Sequence, residues 1–256
     1  MNGLDVTLSN EIDPLRTKSL IAGALALVLC FIGLFFNRGE FFRAYLIAYV
    51  FWIGVPLGCL GILMIHHLVG GTWGFVIQRC LEAAVRTFPI MFLLFVPLLF
   101  GLPDLFAWAR PDVMADAVLQ EKAAYLNIPF FFGRAVVYFA VWFVIGFFLT
   151  KWSQAQERSG DPAFTQRVQT LSGPGLVLYG LTVTFSAIDW LMSLEPHWYS
   201  TIFGMIFMVS HGLLGFSFVI GAAYFLSRRE ALQQIVAPWV LQDLGNLLLA
   251  FVMLWA

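Results

Sequence analysis

The sequence predicts an all-α, polytopic transmembrane helix bundle, and three observations carry that expectation. Of 256 residues, 61% are apolar and only 11% are charged, and mean hydropathy is +0.86. Soluble globular chains run at roughly 45–50% and about 25%, so a water-soluble fold has no interior large enough for this many Leu, Val and Phe side chains. The apolar residues gather into seven stretches, each close to the ~20 residues that a helix needs to cross about 30 Å of hydrocarbon. The dyad alternation of an outer-membrane barrel is absent.

Taken in order, residues 1–18 are polar and include Asp5, Glu11 and Asp13. They lack the basic start, short apolar run and cleavage site of a secretory signal, so they are expected to form a cytoplasmic segment before a retained first span. The spans are expected at Ser19 to Phe36, Ala44 to Val69, Ala83 to Gly101, Phe130 to Thr150, Leu171 to Leu194, Tyr199 to Leu226, and Pro238 to Ala256, making residues 19–256 one bundle. The longest connection, Leu102 to Pro129, carries Asp104, Asp112, Asp116 and Glu121. Its middle, Pro111 to Tyr125, predicts a helix starting at a proline-favoured first position. That helix would lie over the outer face or dock an extracytoplasmic partner. Pro196 falls where the sixth helix is expected to begin, and Gly54, Pro56 and Gly58 mark a kink or break in the second. The chain stops within barely one crossing after Pro238, without a polar tail, and so reads as a fragment of a longer, carboxy-terminally extended protein.

Lys and Arg set the orientation. Arg16, Lys18, Arg79, Lys151, Arg158, Arg167, Arg228 and Arg229 lie on the amino-terminal side, against Arg38, Arg43, Arg110 and Lys122 on the other; Arg86 and Arg134 sit inside span ends and count for neither. The excess places the amino terminus in the cytoplasm. Trp73, Trp108, Trp152, Trp190, Trp198, Trp239 and Trp255 fall near span ends, as an aromatic belt would, whereas Trp52 and Trp142 lie inside. The net charge of −1 gives no reason to expect nucleic acid. Cys30, Cys59 and Cys80 are widely spaced, which excludes an iron–sulfur cluster held by this chain alone and argues against a disulfide framework. Cys30 and Cys59 read as small hydrophobes within their spans.

Ionisable side chains inside spans are costly and become candidates for function. His66 and His67 close the second span before a glycine-rich turn, and Arg79, Glu82 and Arg86 follow on one helical face. They read either as an ion-paired helix start or as the mouth of a proton path, since imidazole titrates near pH 6.5. Asp189 lies in the outer third of the fifth span with Ser186 and Ser193 on its face. His211 is the deepest, about 12 residues or roughly 18 Å into the sixth span. Asp243, near Gln242 and Asn246, could continue a relay if the last two helices are neighbours. His197 and His211 are 14 apart, the spacing that stacks haem ligands in dihaem cytochromes, but the remaining histidines are adjacent and cannot complete the axial pairs. No haem, cluster or metal is expected on this chain.

Three strings then carry a resemblance: HHLVGGTWGFVIQRCLEAAVRTFP from His66 to Pro89, KAAYLNIPFFFGRAVVYFAVW from Lys122 to Trp142, and TVTFSAIDWLMSLEPHWYSTIFG from Thr182 to Gly204. They resemble the F subunit of bacterial alternative complex III, a quinol:cytochrome c (or quinol:acceptor) oxidoreductase of respiratory or photosynthetic electron transfer. The resemblance implies an NrfD-like, polysulfide-reductase-like fold of two four-helix bundles with flanking helices, about ten spans in all. It implies residence in the bacterial cytoplasmic (inner) membrane, and as partners a homologous membrane subunit, iron–sulfur and multihaem cytochrome subunits, and the lipid and quinone pool. Such a subunit binds no haem or cluster and is proposed to help move protons. His66, His67, Glu82, Asp189, His211 and Asp243 suit a proton path, and the family's older quinone-binding label would place quinol or menaquinol near Asp189, Glu195 and His197. No residue is expected to act as a catalyst of its own. A secondary transporter and a purely structural anchor of the complex are the competing functions; no internal repeat favours the transporter.

Overall fold

The computed structural model describes the backbone of residues 2–110, 116–227 and 238–256. Every regular element among them is helical. The order is α1 (Asn2–Gly33), α2 (Arg38–Val69), α3 (Thr72–Val85), α4 (Phe88–Phe100), the short α5 (Leu102–Leu105), α6 (Ala117–Lys122), α7 (Ile128–Ser159), α8 (Pro162–Trp190), α9 (Phe203–Ser227) and α10 (Pro238–Trp255). Six apolar helical stretches are long enough to cross a membrane: Arg16–Gly33, Arg38–Val69, Trp73–Phe100, Ile128–Ser159, Pro162–Leu194 and Phe203–Phe225. A shorter apolar helix, Trp239–Trp255, follows. The protein is a multi-pass helical membrane protein. Its two ends are called near, where the α2–α3 and α7–α8 turns lie, and far, where α5, α6 and the α8–α9 turn lie.

Local chemistry explains where the helices start and stop. The Asn37 side chain accepts from the Glu40 amide at 3.3 Å to cap α2. Asn127 accepts from the Phe130 amide at 2.9 Å, and Asp161 from the Ala163 amide at 2.8 Å, satisfying donors that a helix start leaves free. Gly70 and Gly71 turn the chain with φ of 73° and 104°, a region glycine enters without steric cost.

Around α2 pack α3, α8 and α9, while α7 pairs with α8 and α10 with α9. With lipid as solvent, such pairing rests on packing and hydrogen bonds rather than on exclusion of water. The far half of the core is a ring cluster. Trp190 lies 5.1 Å from Phe95, 6.0 Å from Tyr49 and 5.9 Å from Trp142, within the range of favourable aromatic pairs. The Trp142 indole donates to the Thr182 hydroxyl at 2.8 Å. Outside, Phe51, Trp52, Leu93, Val137, Val177 and Met205 leave an apolar surface of the kind a bilayer requires.

Helix α1 runs from Asn2 through the polar segment and on into the first span. Several expectations are corrected. The span of α1 is exposed along its length, so Cys30 faces outward while Cys59 is buried. The third span is two helices, α3 and α4, joined at Arg86 and Thr87. Helix α2 passes through Pro56 unbroken. Pro196 does not open a helix: it is buried in the far turn, its carbonyl accepting from Lys122 at 2.5 Å, and α9 begins at Phe203. Trp190 and Trp108 are buried rather than part of a belt. The expected start of the outer-loop helix at Pro111 lies outside the described residues; α6 starts at Ala117, where the Asp116 carboxylate accepts from the Val118 amide at 2.9 Å.

Candidate functional site

Charge inside the far half is concentrated at Asp189, which is 1% exposed. Arg134 and Tyr138 stand four apart on α7, on the face that meets α8. The guanidinium donates from Nε to Oδ2 at 2.8 Å and from Nη2 to Oδ1 at 2.9 Å, and the Tyr138 hydroxyl donates to Oδ2 at 2.7 Å. A third Arg134 nitrogen donates to the Tyr125 carbonyl at 2.8 Å, and the guanidinium lies 3.8 Å over the Tyr125 ring. This is a fork-on-fork pair, the strongest geometry such groups adopt. Burial, then the negative charge of Asp189, pushes the Tyr125 hydroxyl up to about 12. The expected serine partners act elsewhere: Ser186 donates to the Val183 carbonyl and Ser193 to the main-chain carbonyl of Asp189. Sequence reasoning set Arg134 aside as a span-end charge; a lone carboxylate in a span, which demands a counter-charge, was the signal that could have found it.

His211 sits in the middle of the bundle, 3% exposed, with no hydrogen-bond partner on either ring nitrogen among the described residues. It begins the third turn of α9, about 12 Å from the helix start at 1.5 Å per residue, shallower than the sequence suggested because α9 starts at Phe203. Its ring meets Phe207 at 4.2 Å and lies against α2 where Gly54 and Gly58 offer no side chain. A Cβ on Gly54 would stand 2.9 Å from the His211 ring, and one on Gly58 would stand 1.8 Å from the His211 carbonyl oxygen. An unpaired buried polar group costs about 1–3 kcal/mol, which makes His211 a costly residue at this position.

At the near end, the His66 ring is buried against Trp73, with centroids 5.3 Å apart, and against Gly74. His66 Nδ1 and His67 Nε2 are buried without partners. Glu82 is separate from them: its carboxylate accepts from Ser153 at 2.5 Å, from Gln78 at 3.2 Å and from Arg79 at 2.5 Å. Arg79 also pairs with Glu157. The plus–minus–plus face read from the sequence is therefore half formed, since Arg86 is exposed and makes no ion pair with Glu82.

The remaining candidates stand apart. Asp243 is exposed on α10. Helices α9 and α10 are indeed neighbours, but the level of His211 on α10 is marked by Phe251, whose ring covers Gly212, about two turns from Asp243. Glu195 and His197 are exposed in the far turn rather than gathered around Asp189. His197 Nε2 instead meets the Asp116 carboxylate at 2.8 Å. No group of three His, Cys, Asp or Glu side chains suited to a metal ion occurs among the described residues.

The structure places three of these groups at three levels of α2, with Asp189 next to Trp190 near Tyr49, His211 at Gly54 and Gly58, and His66 in the last turn. The steps along the helix are roughly 10 Å and 15 Å, and the Asp189 carboxylate itself turns to Arg134 and Tyr138 on α7. Compared with known families and with curated proteins, the chain matches no family model and no curated sequence.

Proposed function

We propose that the chain is a proton-conducting membrane subunit of a quinol:acceptor oxidoreductase, of the alternative complex III F type that its three characteristic strings resemble. In this reading it lies in the bacterial cytoplasmic membrane with its amino terminus in the cytoplasm. It carries protons rather than electrons, beside a homologous membrane subunit and iron–sulfur and multihaem partners that handle the quinol. The observation that carries the reading is His211, buried at mid-bundle with both ring nitrogens unpartnered. A structural histidine would be tied by a hydrogen bond, whereas one left open has a lone pair and an N–H free for hydrogen-bonded water on either side. In this reading His66 and Asp189, at the flanking levels of α2, take up and release the proton, and transfer between levels requires water.

The test uses the assembled complex in sealed liposomes. His211→Leu is expected to abolish proton translocation through the subunit, leaving only the protons that quinol oxidation itself releases, while the rate of quinol oxidation is unchanged. Equal proton yield in wild type and variant overturns the reading. One observation favours a second reading, that of a structural anchor: Asp189 is saturated by Arg134 and Tyr138. An anchor predicts that neither His211→Leu nor Asp189→Asn alters proton yield, while Asp189→Asn loosens the complex.

A further inference from the structure

Between the α3–α4 junction and α7, on the outside of the bundle, lies a cavity of about 340 Å³ lined by Arg86, Pro89, Phe143, Phe147, Lys151 and Gln154 among others. Its level is fixed by the packing of the two walls. Ser153 donates to Glu82, and a Cβ on Gly146 would stand 2.5 Å from Val85, so the cavity sits one turn inside the near-end polar network. The two walls thus bring together cations that are 65 residues apart in the chain.

Neither Arg86 nor Lys151 has an ion-pair partner among the described residues, and both are exposed. The acidic groups nearby are already engaged: Arg79 holds both Glu82 and Glu157. Lys151 lies over the Phe147 ring, with Nζ 5.7 Å from its centroid. Gln154 adds a side-chain amide at the polar rim. Toward the bundle's middle the lining turns apolar, and Phe143 and Phe147 are 46% and 48% exposed, continuous with the lipid-facing surface of α7. A site with two unmatched cations at its rim and an open apolar floor has the polarity of one phospholipid molecule. Basic pockets between spans on the cytoplasmic side hold anionic headgroups, and the loop charge bias assigns the near end to that side.

We propose that this cavity binds an anionic phospholipid, its phosphate between Arg86 and Lys151 and its acyl chains over Pro89, Phe143 and Phe147. Arginine presents a planar fork to phosphate oxygens and lysine a point charge, so both cations can engage one headgroup. The site is distinct from the buried histidines, since neither His66 nor His211 lines the cavity.

The full chain, purified in mild detergent and stripped of lipid, is titrated with phosphatidylglycerol, phosphatidylcholine or inorganic phosphate. Retained lipid is read by native mass spectrometry and stability by the unfolding temperature. Phosphatidylglycerol is expected to bind and raise the unfolding temperature, and the other two to leave it unchanged. Arg86→Gln and Lys151→Gln each lower phosphatidylglycerol affinity about fivefold, and together about thirtyfold. Arg158→Gln, which removes an exposed cation of α7 outside the cavity, leaves affinity unchanged. The proposal is overturned if phosphatidylcholine binds equally, if phosphate alone stabilises as well, if Arg158→Gln costs as much, or if the single variants bind as wild type.

Discussion

Arg134 and Asp189 meet in the buried part of the far half, and the consequence of removing one is unlike that of removing both. Arg134→Met leaves a buried carboxylate without its counter-charge and is expected to cost about 3–5 kcal/mol, whereas Arg134→Met with Asp189→Leu recovers most of that loss. Unfolding of the three proteins in one detergent measures the coupling; strictly additive losses would show that the pair is not a unit. Asp189 was legible in the sequence, because a carboxylate inside an apolar run announces itself. Its partner was not, since Arg134 lies on another helix and only the α7–α8 packing brings the fork to it. His211 was legible for the same reason as Asp189, but its unpartnered state was not. That state depends on Gly54 and Gly58, which the sequence offered only as a kink.

At the scale of the element, the α2–α9 crossing is the tightest contact in the bundle. A Cβ on Gly58 would lie 1.8 Å from the His211 carbonyl, and one on Gly215 would lie 2.8 Å from the Gly58 carbonyl carbon. Gly58→Ala drives the helices apart and is expected to cost at least about 1–3 kcal/mol, read as a lower unfolding temperature. Gly23→Ala on the exposed α1, where a Cβ meets nothing within 4 Å, is expected to be neutral or slightly stabilising through helix propensity. Equal effects would show that the crossing is looser than its geometry. Hydropathy placed most spans within a turn or two because bilayer thickness fixes their length. It missed the α3–α4 junction, where Pro89 opens α4 and cannot continue α3, and the true start of α9 at Phe203.

Across the whole molecule, the far end is sewn by long-range polar ties. Arg38 pairs with Asp104 at 2.7 Å, Lys122 reaches Pro196, and Asp116 meets His197. Desolvation works to raise the Asp116 carboxyl, but the Val118 amide and the His197 imidazole outweigh it and hold it below the usual carboxylate range. With the folded value depressed, the stabilisation is complete above the unfolded carboxyl pKa of about 3.9 and is lost as pH falls through the lower folded value. Pepsin is therefore expected to cut the segment around α6 only once the pH drops into that window. In Asp116→Asn cleavage proceeds above it as well; identical profiles would remove the tie from the account. The membrane class was readable from composition, and its helical kind from the length of the apolar stretches. Which helices touch was not, because in lipid every apolar face looks alike to a hydropathy scale, and the choice among them rests on small residues and buried polar pairs.

The contact between Gly58 and Gly215 has a mechanical corollary. Two main chains in direct touch are riveted: neither can turn about its axis without forcing a side chain into the other's backbone. The central pair therefore moves as a single stiff beam, and any motion of the bundle has to take place between that beam and the helices around it.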